Sequence, residues 1–305
     1  HLFVVLAACS LAQSFFWPAI EADISDHSTP AELPRRLGRF NVAWSLGIMA
    51  GSLGAGWLGQ YVGFEFVFRM AAVVALLALL AYAFRVFVPE LGSAAAGGAD
   101  ATEEWAKRLP DLRMMALVAN FAAVGLASSL RIHMPTVTGG ARSALGGTFI
   151  ALFFLAQFGT FVVMSRWHGW RYRAGAQYTG LGLASGGAVI CGLSGGGLLF
   201  APACVLAGVG AGICSSLSLY YNVSVSENAG RGGGIHESVL AAGSAVMPFL
   251  GGLISDLPLP VALQPLAGGV PSFTAAAGLL VALAVATGIW RQAIPTGSVH
   301  SGEKI

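Results

Sequence analysis

The stretch RRLGRFNVAWSLGIMAGSLGAG, Arg35 to Gly56, joins the two features that decide the fold. It opens on Arg35, Arg36 and Arg39 and then runs, free of charge, from Phe40 to about Gly63. A helix needs about 20 apolar residues to cross a hydrocarbon core of about 30 Å, and this run is long enough. The same order returns as RGGGIHESVLAAGSAVMPFLGG, Arg231 to Gly252. An offset of 196 residues lays Arg231 on Arg35, Gly234 on Gly38, Gly243 on Gly47 and Gly252 on Gly56, with Glu237 opposite Asn41. Just upstream, SFFWPAI (Ser14 to Ile20) resembles SLYYNVS (Ser218 to Ser224). An aromatic helix end, a loop arginine and a glycine-rich helix, in that order twice, mark an internal repeat.

Outward from that repeat the whole chain is apolar. Of its 305 residues 56% are hydrophobic and 10% charged, where a soluble domain carries about 25% charged residues. This composition excludes a disordered chain, a disulfide scaffold and a nucleic-acid binder. The 42 glycines are about twice the usual share of roughly 7%. Cys9, Cys191, Cys204 and Cys214 all sit in apolar runs without CxxC or Cys/His spacing, and read as small buried hydrophobes.

Nine spans follow from the charge-free runs. They are Leu2–Ile20, Phe40–Gly63, Phe66–Val88, Met114–Leu130, Leu145–Ser165, two within Ala174–Ser226, Ser238–Ser255 and Ser272–Trp290. The run from Ala174 to Ser226 is too long for one helix, and the glycines from Gly192 to Gly197 divide it. The runs do not alternate in polarity, so helices rather than a barrel satisfy the backbone in lipid. The fold class is therefore an all-α polytopic membrane protein. Of the 16 Lys and Arg residues, 13 fall in one alternate set of connections and three (Arg69, Arg131 and Arg142) in the other. The richer side reads as cytoplasmic, which places the C-terminus inside and His1 outside. Residues 1–89 form a three-helix unit and 90–113 a cytoplasmic linker, with a six-helix bundle over 114–292 and a tail over 293–305. The apolar run from Leu2 has no basic n-region and is expected to be a span rather than a signal peptide.

With the repeat and the spans in place, the chain resembles the major facilitator superfamily (MFS) of transporters. The resemblance covers essentially the whole chain, as helices four to twelve of twelve, and implies a fragment whose first three helices are missing. It implies an MFS-like fold of two helical bundles, a cytoplasmic linker and cytoplasmic termini. The family's helix-five pattern GxxxGPxxGG is approached by Gly47, Gly51, Ser52, Ala55 and Gly56, with Ser52 in place of the proline and Ala55 in place of the first paired glycine. The repeat supplies Gly243, Met247, Pro248, Gly251 and Gly252. SRWHGWRYR, Ser165 to Arg173, is similar to the family's basic loop GxxxDRxGRR. Gly47, Gly51, Gly56, Gly243, Pro248 and Gly252 are the expected helix-packing positions.

The resemblance implies that the first, fourth and seventh spans line a central cavity. Polar groups inside spans are costly and tend to face such a cavity. Gln13, Asn41, Asn120 and Gln157 are amides in apolar helices, and Trp17, Trp44, Tyr220 and Tyr221 offer aromatic surface with a polar tip. Ser215 precedes the tyrosines on the seventh span. These residues read either as solute contacts or as interhelical hydrogen bonds. Glu21, Arg39, Glu227, Arg231 and Glu237 gather at cytoplasmic helix ends, either as a gate of ion pairs or as a solvated interface.

Other chemistry finds little support. GxGxxG at Gly54 to Gly59 and GxSxG at Gly192 to Gly196 lie in or between membrane spans, without the strand that either motif requires. None of the six histidines has a ligand partner at i+3 or i+4, and adjacent His236 and Glu237 point about 100° apart on a helix. No cofactor, catalytic residue or metal ligand is expected, and the span interiors hold no acid. The function expected is transport of a small solute by alternating access, with or without a coupling proton or ion. The alternatives are a membrane-embedded enzyme and a non-transporting solute sensor. The expected setting is the plasma (inner) membrane, where lipid and the solute are the partners of a monomer.

Overall fold

The computed structural model describes residues 2–29, 31–86, 103–138, 142–167, 169–171, 173–194, 198–224 and 229–255. Among the described residues the chain is all-helical. The helices are α1 (Leu2–Asp26), α2 (Leu33–Tyr61), α3 (Phe64–Val86), α4 (Glu103–Val137), α5 (Ser143–Arg166), α6 (Ala174–Ser194), α7 (Phe200–Ser224) and α8 (Ala229–Ser255). Among the described residues, five segments, Leu33–Tyr61, Phe64–Ala81, Leu112–Pro135, Ser143–Arg166 and Phe200–Ser224, are long and apolar enough to cross a membrane. The expected ninth span, Ser272 to Trp290, lies outside the described residues.

Several helices extend beyond their apolar runs. α2 begins at Leu33 rather than Phe40, and α8 at Ala229 rather than Ser238. A charged side chain ends an apolar count but leaves the i→i−4 backbone bonds intact, so Arg35, Arg36, Arg39, Arg231 and Glu237 are helical residues. α4 begins at Glu103, inside the stretch read as a linker. Glu103 and Glu104 stand four residues before Lys107 and Arg108, a spacing that supports a helix. The 35 residues of α4 span about 50 Å, more than a bilayer core of about 30 Å, and its apolar span is Leu112–Pro135. Between α2 and α3 the chain turns at Gly63, whose φ of 105° suits a residue without Cβ.

α2 lies along α5, α7 is flanked by α5 and α6, and α8 packs on α1 and α4. Small residues set the spacing. A Cβ at Gly208 would meet the Phe153 carbonyl of α5, and one at Gly212 would lie 2.8 Å from Thr160 Cβ on the same helix. Gly210 faces the other way, onto Ala184 of α6. Gly56 of α2 meets Gly147 of α5, and Gly243 of α8 meets the Phe121 carbonyl of α4. Without a hydrophobic drive between helices in lipid, close backbone approach supplies the association. A Cβ at Gly47, Gly51 or Gly252 would meet nothing within 4 Å, so among the described residues these three make no close packing contact. Pro248 is buried inside α8.

The largest buried cluster joins α4 to α8 around Leu126, Phe153, Phe154, Phe200 and Met247. A second gathers Leu33, Leu37, Leu112, Met164, Trp170 and Tyr221 where α2 begins and α5 and α7 end. α3 is apolar between Arg69 and Arg85 and its described span is unburied, with Leu76, Leu77 and Leu79 more than half exposed. Such a surface suits lipid and would be a liability in water.

Candidate functional site

α1, α2, α4, α5, α7 and α8 line an open cavity of about 590 Å³. α1 contributes Gln13, Ser14, Trp17, Pro18 and Glu21, while α2 contributes Phe40, Asn41 and Trp44. Gln157 and Phe154 come from α5, Arg131 from α4, Ser215 from α7, and His236, Glu237 and Ser244 from α8. The repeat mates Asn41 and Glu237 thus both face this one space. α2, α5 and α8 join the spans expected to line it.

Aromatic pairs shape the wall. Trp17 meets Phe40 edge-on at 5.8 Å between ring centroids, and Trp44 meets Phe154 at 5.9 Å. The Arg131 guanidinium lies 5.9 Å from the Phe154 ring centre and donates to Ser128 Oγ at 3.1 Å. A cation over an aromatic face is held by the ring quadrupole. Arg131 was expected outside the spans, and α4 carries it to the cavity wall because the helix continues to Val137.

Two of the lining helices each contain a proline. Pro18 in α1 and Pro248 in α8 lack the N–H that would bond the carbonyl four residues earlier. Those carbonyls belong to Ser14 and Ser244, and both serines line the cavity.

The amides divide into paired and unpaired. Asn120 is fully buried behind the wall, and its Oδ1 accepts from Ser215 Oγ at 2.8 Å, while Nδ2 has no partner. Gln157 is 3% exposed and lines the cavity with Oε1 unpartnered. A buried polar atom without a partner is rare and calls for a ligand or ordered water.

Tyr220 and Tyr221 stand apart from this space. They are buried in the second apolar cluster, where Tyr220 meets Trp170 edge-on at 5.2 Å. At about 100° per residue they turn about 140° and 240° away from Ser215 on α7, which removes them from its cavity face.

Of the residues expected at a gate, Glu21 and Glu237 come together while Arg39 and Arg231 are exposed. Glu227 lies outside the described residues. Glu21, His236 and Glu237 each bring a ligand atom within 4.8 Å of the others. The span interiors therefore border a space that does hold carboxylates. Spacing along a single helix could not show this trio, because Glu21 comes from α1. The signal that was present is the repeat, which aligned Glu237 with the polar Asn41.

Long apolar helices around a cavity with polar groups on its wall define a multi-pass membrane transporter. A family model described as Major Facilitator Superfamily matches residues 1–248, and the chain belongs to that family, whose members move small solutes across membranes. No curated protein matches the chain.

Proposed function

We propose that the chain carries a small solute across its membrane by alternating access, with the two groups of helices rocking about the cavity. The observation that carries this reading is Gln157, a buried amide on the cavity lining whose Oε1 has no protein hydrogen-bond partner. The surrounding tryptophans offer flat apolar surface and the lining serines and Gln157 offer polar groups, a combination that suits a solute with both an apolar face and hydrogen-bonding groups. The end where α1 finishes and α8 begins carries most of the arginines, and in this reading it faces the cytoplasm. Contact of Glu21 with Glu237 across α1 and α8 then belongs to the state closed on that side.

The test is uptake by the purified chain in liposomes, screened over labelled sugars and amphipathic drugs. Gln157→Ala should raise the KM of whichever solute is carried by about 5- to 30-fold, the cost of losing one buried hydrogen bond of about 1–2 kcal/mol. An unchanged KM in Gln157→Ala, with uptake intact, refutes the placement of the solute.

A further inference from the structure

We propose that Glu21, His236 and Glu237 form a binding site for a divalent transition-metal cation at the α1–α8 end of the cavity. The site lies in the space assigned above to the solute, and to that extent rests on that reading. Four observations support it.

The ligand atoms converge. One from each side chain lies within 4.8 Å of the other two. Ligands around Zn²⁺ sit about 2.0–2.2 Å from the ion, which small side-chain rotations reach from this spacing. All three residues line the cavity, so an ion and its remaining ligands have room to enter.

Glu21 is 1% exposed, and its Oε2 is buried without a hydrogen-bond partner. A second carboxylate, Glu237, and the His236 imidazole are its neighbours in the trio. The described ion pairs are His27–Asp23, Arg36–Glu32 and Arg69–Glu65, and neither Glu21 nor Glu237 takes part in them. A buried carboxylate is costly unless it is paired or coordinates a metal. Two carboxylates and a neutral imidazole balance a dication.

His236 is held as metal-binding histidines are held. It is 4% exposed, and its Nδ1 shares a 2.9 Å hydrogen bond with Ser218 Oγ of α7. A partner on one ring nitrogen orients the ring and leaves Nε2 as the ligand.

The donor set selects the ion. Ca²⁺ takes six to eight oxygens and Mg²⁺ keeps most of its waters, whereas mixed imidazole and carboxylate ligation suits Zn²⁺, Fe²⁺, Co²⁺ and Ni²⁺. Since Glu21 is on α1 and the other two ligands on α8, a bound ion also ties these helices together. It therefore favours the conformation in which they touch.

The probe is Co²⁺, titrated into the purified metal-free chain in detergent and followed by its visible absorption and by calorimetry. One equivalent should bind and be displaced by Zn²⁺. Ser218→Ala should weaken binding about 10- to 100-fold through the freed imidazole, and Glu21→Gln or His236→Gln should weaken it further. Glu65→Gln, whose parent side chain is exposed in a pair with Arg69, should bind as the wild type does. Zn²⁺ should raise the melting temperature of the wild type. Failure of the wild type to bind Co²⁺, or equal affinity in Glu21→Gln, overturns the site; a proton shared between the two carboxyls is then the occupant. A chain that carries solute without binding Co²⁺ refutes the site and keeps the carrier. One that binds Co²⁺ with these variant effects but carries nothing refutes the carrier and keeps the site.

Discussion

The α2–α5 crossing offers a test with its own internal control. At Gly56 an added Cβ would lie 2.6 Å from the Ser143 carbonyl oxygen and 2.8 Å from Gly147 Cα. Carbon atoms rest about 3.5–4.0 Å apart, so Gly56→Ala drives the helices apart by about 1 Å. Both obstacles are backbone, and no side chain can rotate to make room. Overpacking of this kind costs about 1–3 kcal/mol. Two hydrogen bonds are stretched by the same movement. Ser143 Oγ donates to the Gly56 carbonyl at 3.0 Å, and Ala144 N donates to Gln60 Oε1 at 3.0 Å. At Gly51, five positions earlier on the same helix, an added Cβ meets nothing within 4 Å. Gly51→Ala gains helix propensity alone, about 0.5–1 kcal/mol. The two variants make one chemical change on one helix with opposite expected signs, separated by about 1.5–4 kcal/mol. At about 2–4 °C per kcal/mol the melting temperatures differ by roughly 3–16 °C. Thermal denaturation of each purified variant in detergent, read by tryptophan fluorescence, measures the gap. If Gly56→Ala melts at or above Gly51→Ala, the crossing is looser than described and the close-packing argument fails.

Three further outcomes follow from particular contacts. Arg113 Nε donates to Asn222 Oδ1 at 2.7 Å, linking α4 to α7, and Asn222 is fully buried. Asn222→Ala should therefore lose about 1.5–3 kcal/mol, visible as a lower melting temperature. Trp44→Ala removes the partner of the Phe154 ring and part of the cavity wall. It should weaken solute binding more than Tyr221→Phe does, because Tyr221 lies in the second apolar cluster; equal losses in an uptake assay would place the solute elsewhere. Gly243→Val would drive a branched side chain against the Phe121 carbonyl and should lower the yield of folded protein, whereas Gly252→Val should not, by size-exclusion profile.

The helices were legible where composition alone decides them. The glycines from Gly192 to Gly197 marked the break that ends α6 at Ser194, with α7 starting at Phe200. Helix ends were less legible, since an apolar count stops at the first charge while the backbone continues. That is why His236 and Glu237 fell just ahead of the expected span from Ser238 although α8 already includes them. The cavity residues Gln13, Trp17, Asn41, Trp44, Gln157 and Ser215 were visible as polar or amphipathic groups within apolar runs. Tyr220 and Tyr221 carry the same signal and face elsewhere, because residue type does not tell which side of a tightly flanked helix a residue occupies. The trio of Glu21, His236 and Glu237 was not legible, because periodicity reports neighbours on one helix and these ligands come from two. Glycine counts had a similar limit: Gly56 and Gly51 look alike in sequence, and only one of them touches another backbone.

The cavity's volume bears on how the protein would respond to its medium. A space of about 590 Å³ holds on the order of 20 water molecules at about 30 Å³ each. A cycle that closes this space around a solute must expel most of that water and take it up again on release. Solvent is then a stoichiometric participant in each turnover, and osmotic pressure becomes a thermodynamic variable of the conformational balance alongside solute concentration. Excluded osmolytes outside the cavity would favour whichever state holds the least water.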